Sequence, residues 1–169
     1  MHFEVVHEFE APLDAIELAI LSPHLIDKLG PFLPNVDKVT QVEHRFEGDK
    51  LRRVWAYEPD LKVPAFAAAY VKPEMCAWRE TSIYSLKKHA SEWEITPERK
   101  PEWKKYFHAH GTYALVPSEN GTTRRVVHGD VDLHVPPIMR GVAERMIVKE
   151  VKKSFEAEAA ILRDLATLV

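Results

Sequence analysis

The residues from Pro136 onward read PPIMRGVAERMIVKEVKKSFEAEAAILRDLATLV, and after the proline pair the only helix breaker among them is Gly141. Prolines are tolerated in the first turn of a helix, so the run predicts one helix after the proline pair through Val169, roughly 48 Å long at 1.5 Å per residue. Between Ile147 and Ala166 an apolar stripe runs through Ile147, Val148, Val151, Phe155, Leu162 and Leu165, the spacing of a helix laid on a core. Glu144 and Glu158 project close to that stripe. Ile138, Val142 and Met146 fall on nearly the opposite side, so the helix start is apolar over more of its circumference than one sheet contact requires. A loop over a ligand portal or a second copy of the chain is expected to cover it.

The rest of the chain alternates as strands do. Residues 2–9 place Phe3, Val5, His7 and Phe9 on one side and His2, Glu4, Val6 and Glu8 on the other. A short apolar helix follows over 15–21, and Ser22-Pro23 opens a second helix that ends near Gly30-Pro31. Strand-like pieces then cover 38–47 and 50–58, joined at Gly48-Asp49, and later 76–86, 89–96, 106–116 and 122–135, the last two turning at Glu119-Asn120-Gly121. The alanine-rich stretch 64–71 has low β-propensity and is read as a short helix or irregular segment, a candidate lid. About seven antiparallel strands and a long terminal helix make an α+β fold within 169 residues, a length suited to a single domain spanning 1–169.

The order of elements resembles the START and plant-pollen-allergen superfamily, also called SRPBCC. Its helix-grip fold presses the terminal helix into the concave face of a curved sheet. Closer likenesses lie in Val63-Pro64-Ala65-Phe66, in Trp78-Arg79-Glu80-Thr81, and in Val131 to Ile161, with Val135-Pro136-Pro137-Ile138 and the tail Phe155-Glu156-Ala157-Glu158-Ala159. These look like a bacterial branch of the superfamily with no assigned function. The resemblance implies a pocket between sheet and helix that takes lipids, polyketides or other hydrophobic molecules. It assigns no catalytic residue here, and fold alone does not give function.

Composition narrows the partners. Lys and Arg number 23 against 26 Asp and Glu, a net charge of -3, which lacks the basic excess of a nucleic-acid binder. Nothing approaches a membrane span, and Met1-His2-Phe3-Glu4 carries no signal-peptide pattern, so a cytoplasmic location is expected. Cys76 is the single cysteine, which leaves no internal disulfide and no thiolate cluster. The six glycines are scattered, with no phosphate-binding loop.

Strand alternation nominates the pocket lining. Arg53, Trp55 and Tyr57 fall together, as do His89, Ser91, Trp93 and Ile95, with Phe107 and Tyr113 on the next strand; Phe66 and Met146 complete the expected lining. Aromatic walls with a few polar tips suit a lipophilic molecule bearing one or two oxygens. A solidly filled core is the alternative, and a slip of one residue would turn every one of these side chains outward. Glu158 on the helical stripe either pairs with Arg53, where the pair could anchor a ligand carboxylate or carbonyl, or reaches past the stripe to water.

Metal binding is the sharpest local chemistry. His108 and His110 alternate on one strand, and His128, Asp130, Asp132 and His134 on the next. If Val116 faces Thr122, His110 lies opposite His128 and His108 opposite Asp130. The opposite face carries Phe107, Tyr113, Leu115, Val127, Val131 and Leu133 and is expected to be the buried one, leaving the histidines on a wet outer surface. No metal, cofactor or catalytic set is therefore assigned. Binding of a small hydrophobic molecule leads; an enzyme of cyclase, aromatase or hydrolase type, with Tyr57, His89 or Tyr113 as acid or base, and a dimerising module acting through Ile138, Met139, Val142 and Met146, remain alternatives.

Overall fold

A computed structural model describes residues 1–33, 35–60, 63, 65 and 68–168. Strand β1 (His2–Phe9) leads into helix α1 (Leu13–Leu21) and two short 3-10 turns, Ile26–Lys28 and Gly30–Phe32. Six strands follow: β2 (Val36–Glu47), β3 (Lys50–Pro59), β4 (Trp78–Ser85), β5 (Ala90–Pro97), β6 (Phe107–Pro117) and β7 (Thr123–Leu133). The chain ends in α2 (Pro137–Ala166). All seven strands pair antiparallel in the order β1-β7-β6-β5-β4-β3-β2, and α2 packs into the concave face. This is the helix-grip fold.

Local chemistry explains the joints. Gly48 and Gly121, at φ 60° and 76°, turn the β2–β3 and β6–β7 hairpins, where a side chain would be strained. Breaks in register between Val36 and Lys38 and between Gln41 and Glu43 bend the edge strand β2 around the core. The expected second helix is not formed. Ser22 does cap the turn, accepting a bond from the His24 N–H at 3.2 Å, but from Leu25 on the backbone bonds run from residue i to i−3, and the chain winds into two 3-10 turns.

The β6–β7 hairpin also corrects the expected register. Val116 faces Arg124 and Pro117 faces Thr123, so His110 lies opposite Asp130 and His108 opposite Asp132. The Ser118 N–H bonds the Thr122 carbonyl at 2.9 Å, so the loop is Glu119-Asn120-Gly121 and the hairpin is centred one residue later than a Val116–Thr122 pair would place it. The displacement is two residues, which preserves parity and leaves every side chain on its expected face.

The core lies between the sheet and the second half of α2, where Val151, Phe155, Ile161 and Leu162 are buried; each contributes about 1.5–3 kcal/mol by leaving water. Room for the largest side chains comes from two facing glycines, Gly111 and Gly129. A Cβ on Gly129 would stand 2.4 Å from Phe3 and 2.7 Å from Trp93, so the bare backbone is the floor on which these rings lie. Trp93 in turn meets Phe155 edge-on at 5.2 Å. The first half of α2 is different: Ile138 is 91% exposed, Val142 40% and Met146 47%. No described helix is long and apolar enough to cross a membrane.

Candidate functional site

On β3 the inward positions are Leu51, Arg53, Trp55 and Tyr57; β4 supplies Glu80, Ser82 and Tyr84; β5 supplies Ser91, Trp93 and Ile95. Tyr113 on β6, Arg125 and Val127 on β7, and Phe3, His7 and Phe9 on β1 complete the concave wall. An apolar interior with this many polar atoms requires them to satisfy one another.

Most do so through a network centred on the helix. Arg53 Nη2 donates to Glu158 Oε1 at 2.7 Å, and Arg125 Nη1 donates to Glu158 Oε2 at 2.6 Å. Arg125 also donates through Nη2 to the Phe155 carbonyl at 2.9 Å and through Nε to His7 Nδ1 at 3.3 Å. At the other flank of Arg53 the Tyr57 hydroxyl donates to Glu80 Oε2 at 3.2 Å. A belt of charge thus crosses the interior from β4 through α2 to β1.

The two carboxylates respond oppositely. Burial alone would raise Glu158, but Arg53 and Arg125 bonded to its two oxygens hold it down at about 2. Glu80 is pushed up to about 7, first by burial and then by the negative charge of Glu158, against the pull of Arg53. His7 falls to about 4, because burial and the adjacent Arg125 both oppose a second positive charge. Burial also raises the Tyr57 and Tyr113 hydroxyls, which therefore stay protonated at neutral pH. Near neutrality the interior holds one fixed carboxylate and one carboxyl poised to gain or lose a proton.

On this wall Arg53 Nη1, Trp55 Nε1 and Trp93 Nε1 have no hydrogen-bond partner among the described residues, while the buried His7 Nε2 has Glu156 Oε1 at 3.2 Å. Arg53 and Trp93 flank Ser82 in one row across the sheet, and Trp55 lies in the adjoining row beneath the Arg53 guanidinium, 3.9 Å from it. An unpaired buried donor costs about 1–3 kcal/mol, so three in one region mark the place where an acceptor from outside the chain would bind with most gain.

The family described as "Protein of unknown function (DUF2505)" matches residues 4–165. The chain belongs to this family. No curated protein matches it in sequence. Solved structures share its fold at low identity. TTHA0849 from Thermus thermophilus superposes with a TM-score of 0.63 at 18% identity, covering 99% of this chain and 98% of its own. The Zhui aromatase/cyclase from Streptomyces sp. R1128 gives 0.65 at 13%, covering 99% and 93%. Norcoclaurine synthase from Thalictrum flavum gives 0.64 at 15%, covering 98% and 85%. These likenesses establish a START/SRPBCC-like fold.

In this DUF2505 chain six of the expected lining residues, Arg53, Trp55, Tyr57, Trp93, Tyr113 and Glu158, are brought together in the buried interior. Phe107 is half-buried at the start of β6. His89 stands apart: it occupies the β4–β5 turn at φ 49°, where strand alternation does not extend, and its Nδ1 lies 2.9 Å from Glu17 of α1. Met146 is exposed, on the outer side of α2. Phe66 lies outside the described residues, as do residues 64 and 67 of the stretch 64–71. The sequence reading does not reach His7, Glu80 and Arg125 as site residues, although Arg125 alternates with Val127 and Glu80 with Ser82 on buried faces. Two surface depressions, one of about 400 Å³ beside Lys149 and Lys152 and one of about 660 Å³ between β2 and the first 3-10 turn, have no lining residue from the concave wall.

Proposed function

We propose that this chain binds a small, largely apolar molecule bearing one or two acceptor oxygens, held between the sheet and α2. The observation that carries this reading is the set of buried, unpartnered N–H donors at Arg53, Trp55 and Trp93. Aromatic surface supplies affinity, and the donors fix the oxygenated end. The wall is closely packed, so binding calls for α2 or the residues before β4 to give way, and the exposed first half of α2 is the least anchored part of the grip. The ligand class fits fold relatives that are an aromatase/cyclase and a norcoclaurine synthase. A net charge of -3 and a lone thiol at Cys76 fit a cytoplasmic setting without nucleic acid.

Native mass spectrometry of the purified chain, compared with its denatured mass and followed by organic extraction, tests the proposal. A near-stoichiometric apolar adduct is expected. A bare mass both from cells and after incubation with a panel of oxygenated aromatic and lipid compounds would overturn it.

Glu80 favours a second reading, catalysis in the same place. A carboxyl poised near 7 and bonded to the Tyr57 hydroxyl can donate or accept a proton at neutral pH. Conversion of an extracted ligand by the wild-type chain, lost in Glu80→Gln, would favour an enzyme over a carrier.

A further inference from the structure

The convex face of the sheet, opposite the proposed pocket, carries a second constellation. His108 and His110 project from β6 with their rings 4.7 Å apart, and Asp132 projects beside them from β7. Asp132 Oδ2 stands 3.9 Å from Nδ1 of His108 and 3.9 Å from Nδ1 of His110, and one ligand atom from each residue falls within a 4.8 Å span. Histidine, histidine and carboxylate on adjacent strands form the donor set of a zinc-class cation with a coordination position left open.

The residue behind His108 strengthens the case. Glu94 of β5 stands with Oε1 2.8 Å from His108 Nε2 and is itself held by Lys104. A carboxylate on Nε2 places the proton there and leaves the Nδ1 lone pair free, on the side where Asp132 and His110 lie. Fixing one ring nitrogen by a carboxylate so that the other can ligate is how metal-binding histidines are oriented. Ligand atoms of a tetrahedral zinc site sit roughly 3.3 Å apart given bonds of about 2.0 Å. The two Asp132 distances must close by about 0.6 Å and the histidine nitrogens by at most about 1.5 Å, through rotations of the exposed His110 and Asp132 side chains.

We infer that His108, His110 and Asp132 form a divalent transition-metal site on the outer face of the sheet, oriented by Glu94 and clamping β6 to β7. His128 also lies on this face but is engaged elsewhere, with Glu4 at 3.4 Å and in a stack with His2 at 6.2 Å, and serves as an internal control.

The test is calorimetric titration of the untagged full chain, stripped of metal, with zinc chloride alone, alongside His108→Gln, His110→Gln, Asp132→Asn, Glu94→Gln and His128→Gln, each checked for folding by circular dichroism. One zinc per chain is expected. Each ligand variant should weaken binding at least about tenfold, Glu94→Gln by about tenfold, and His128→Gln by less than about threefold, in line with the effects of losing ligands and their orienting partners. Saturating zinc should also raise the melting temperature of the wild type more than that of His110→Gln. Absence of binding at millimolar zinc would overturn the site. So would binding that His128→Gln weakens as much as His108→Gln, which would mean scattered surface histidines only.

Discussion

Glu158 on the terminal helix accepts a 2.7 Å hydrogen bond from Arg53, 105 residues earlier on β3, and both side chains are almost wholly shielded from water. The second oxygen of the same carboxylate is bonded to Arg125 on β7, so one residue of α2 ties together strands on both sides of the sheet. Two guanidiniums around one carboxylate leave a net charge of +1 indoors, cancelled whenever Glu80 is ionised.

Glu158→Gln is expected to destabilise the fold by roughly 3–5 kcal/mol, because it strands two buried cations. Urea titration followed by tryptophan fluorescence reads the change. Replacing all three members together, Arg53→Met, Arg125→Met and Glu158→Leu, should cost far less or even stabilise, since apolar side chains of similar size avoid the desolvation that the ions incur. A triple variant less stable than Glu158→Gln would show that the belt contributes net stability rather than fixing how the helix sits.

Acid should leave stability nearly flat through a window where two large effects cancel. Glu80 goes from an ordinary 4.5 to about 7 on folding, so the native chain holds the extra proton and this contribution, roughly 3 kcal/mol, is full below 4.5 and lost as pH rises through 7. His7 goes from 6.5 to about 4, so its contribution, of similar size, is present above 6.5 and lost as pH falls toward 4. Between about pH 4.5 and 6.5 the slopes oppose each other. Glu80→Gln should therefore lose stability on acidification across that range, and His7→Asn should gain it. Parallel curves for both variants and the wild type would contradict the assignment.

Much of this architecture is legible from periodicity, because β-strand parity and helical spacing are set by which face must leave water. The outer histidines, the inward aromatics and the α2 stripe follow from that rule. What periodicity does not carry is length at the joints. The β6–β7 register differs by two residues because the hairpin is centred on Asn120, with Ser118 bonded to Thr122, rather than on Glu119 as a Val116–Thr122 pair requires. The stretch after Ser22 winds as 3-10 turns from Leu25 on instead of an α-helix. His7, Glu80 and Arg125 are hidden for a different reason: a charged residue on a buried strand face is costly alone, and only the three-dimensional placement of its partner makes it tolerable.

Ile138, Val142 and Met146 make a test of what covers the start of α2. At 91% exposure Ile138 contributes little to the fold of a single chain, so Ile138→Glu should change its unfolding free energy by less than about 0.5 kcal/mol. If a second copy seats on this face, the wild type should sediment as a dimer at micromolar concentration and Ile138→Glu as a monomer. A monomeric wild type would leave the exposed residues free for the opening and closing that ligand entry requires.

The facing glycines predict an asymmetry between two otherwise equal substitutions. A Cβ at Gly111 would lie 2.0 Å from the His128 carbonyl oxygen, an atom of the sheet backbone that no side-chain change can move. At Gly129 the nearest obstacle is the Phe3 ring at 2.4 Å, with Trp93 at 2.7 Å. Both alanine variants should be destabilised by at least about 1–3 kcal/mol, the usual range for overpacking. Adding Phe3→Leu should return part of the loss in Gly129→Ala by making space beside the new methyl, and none of it in Gly111→Ala. A double-mutant cycle by urea denaturation measures the coupling; equal coupling at both positions would mean that the Phe3 and Trp93 rings do not rest on the backbone at Gly129.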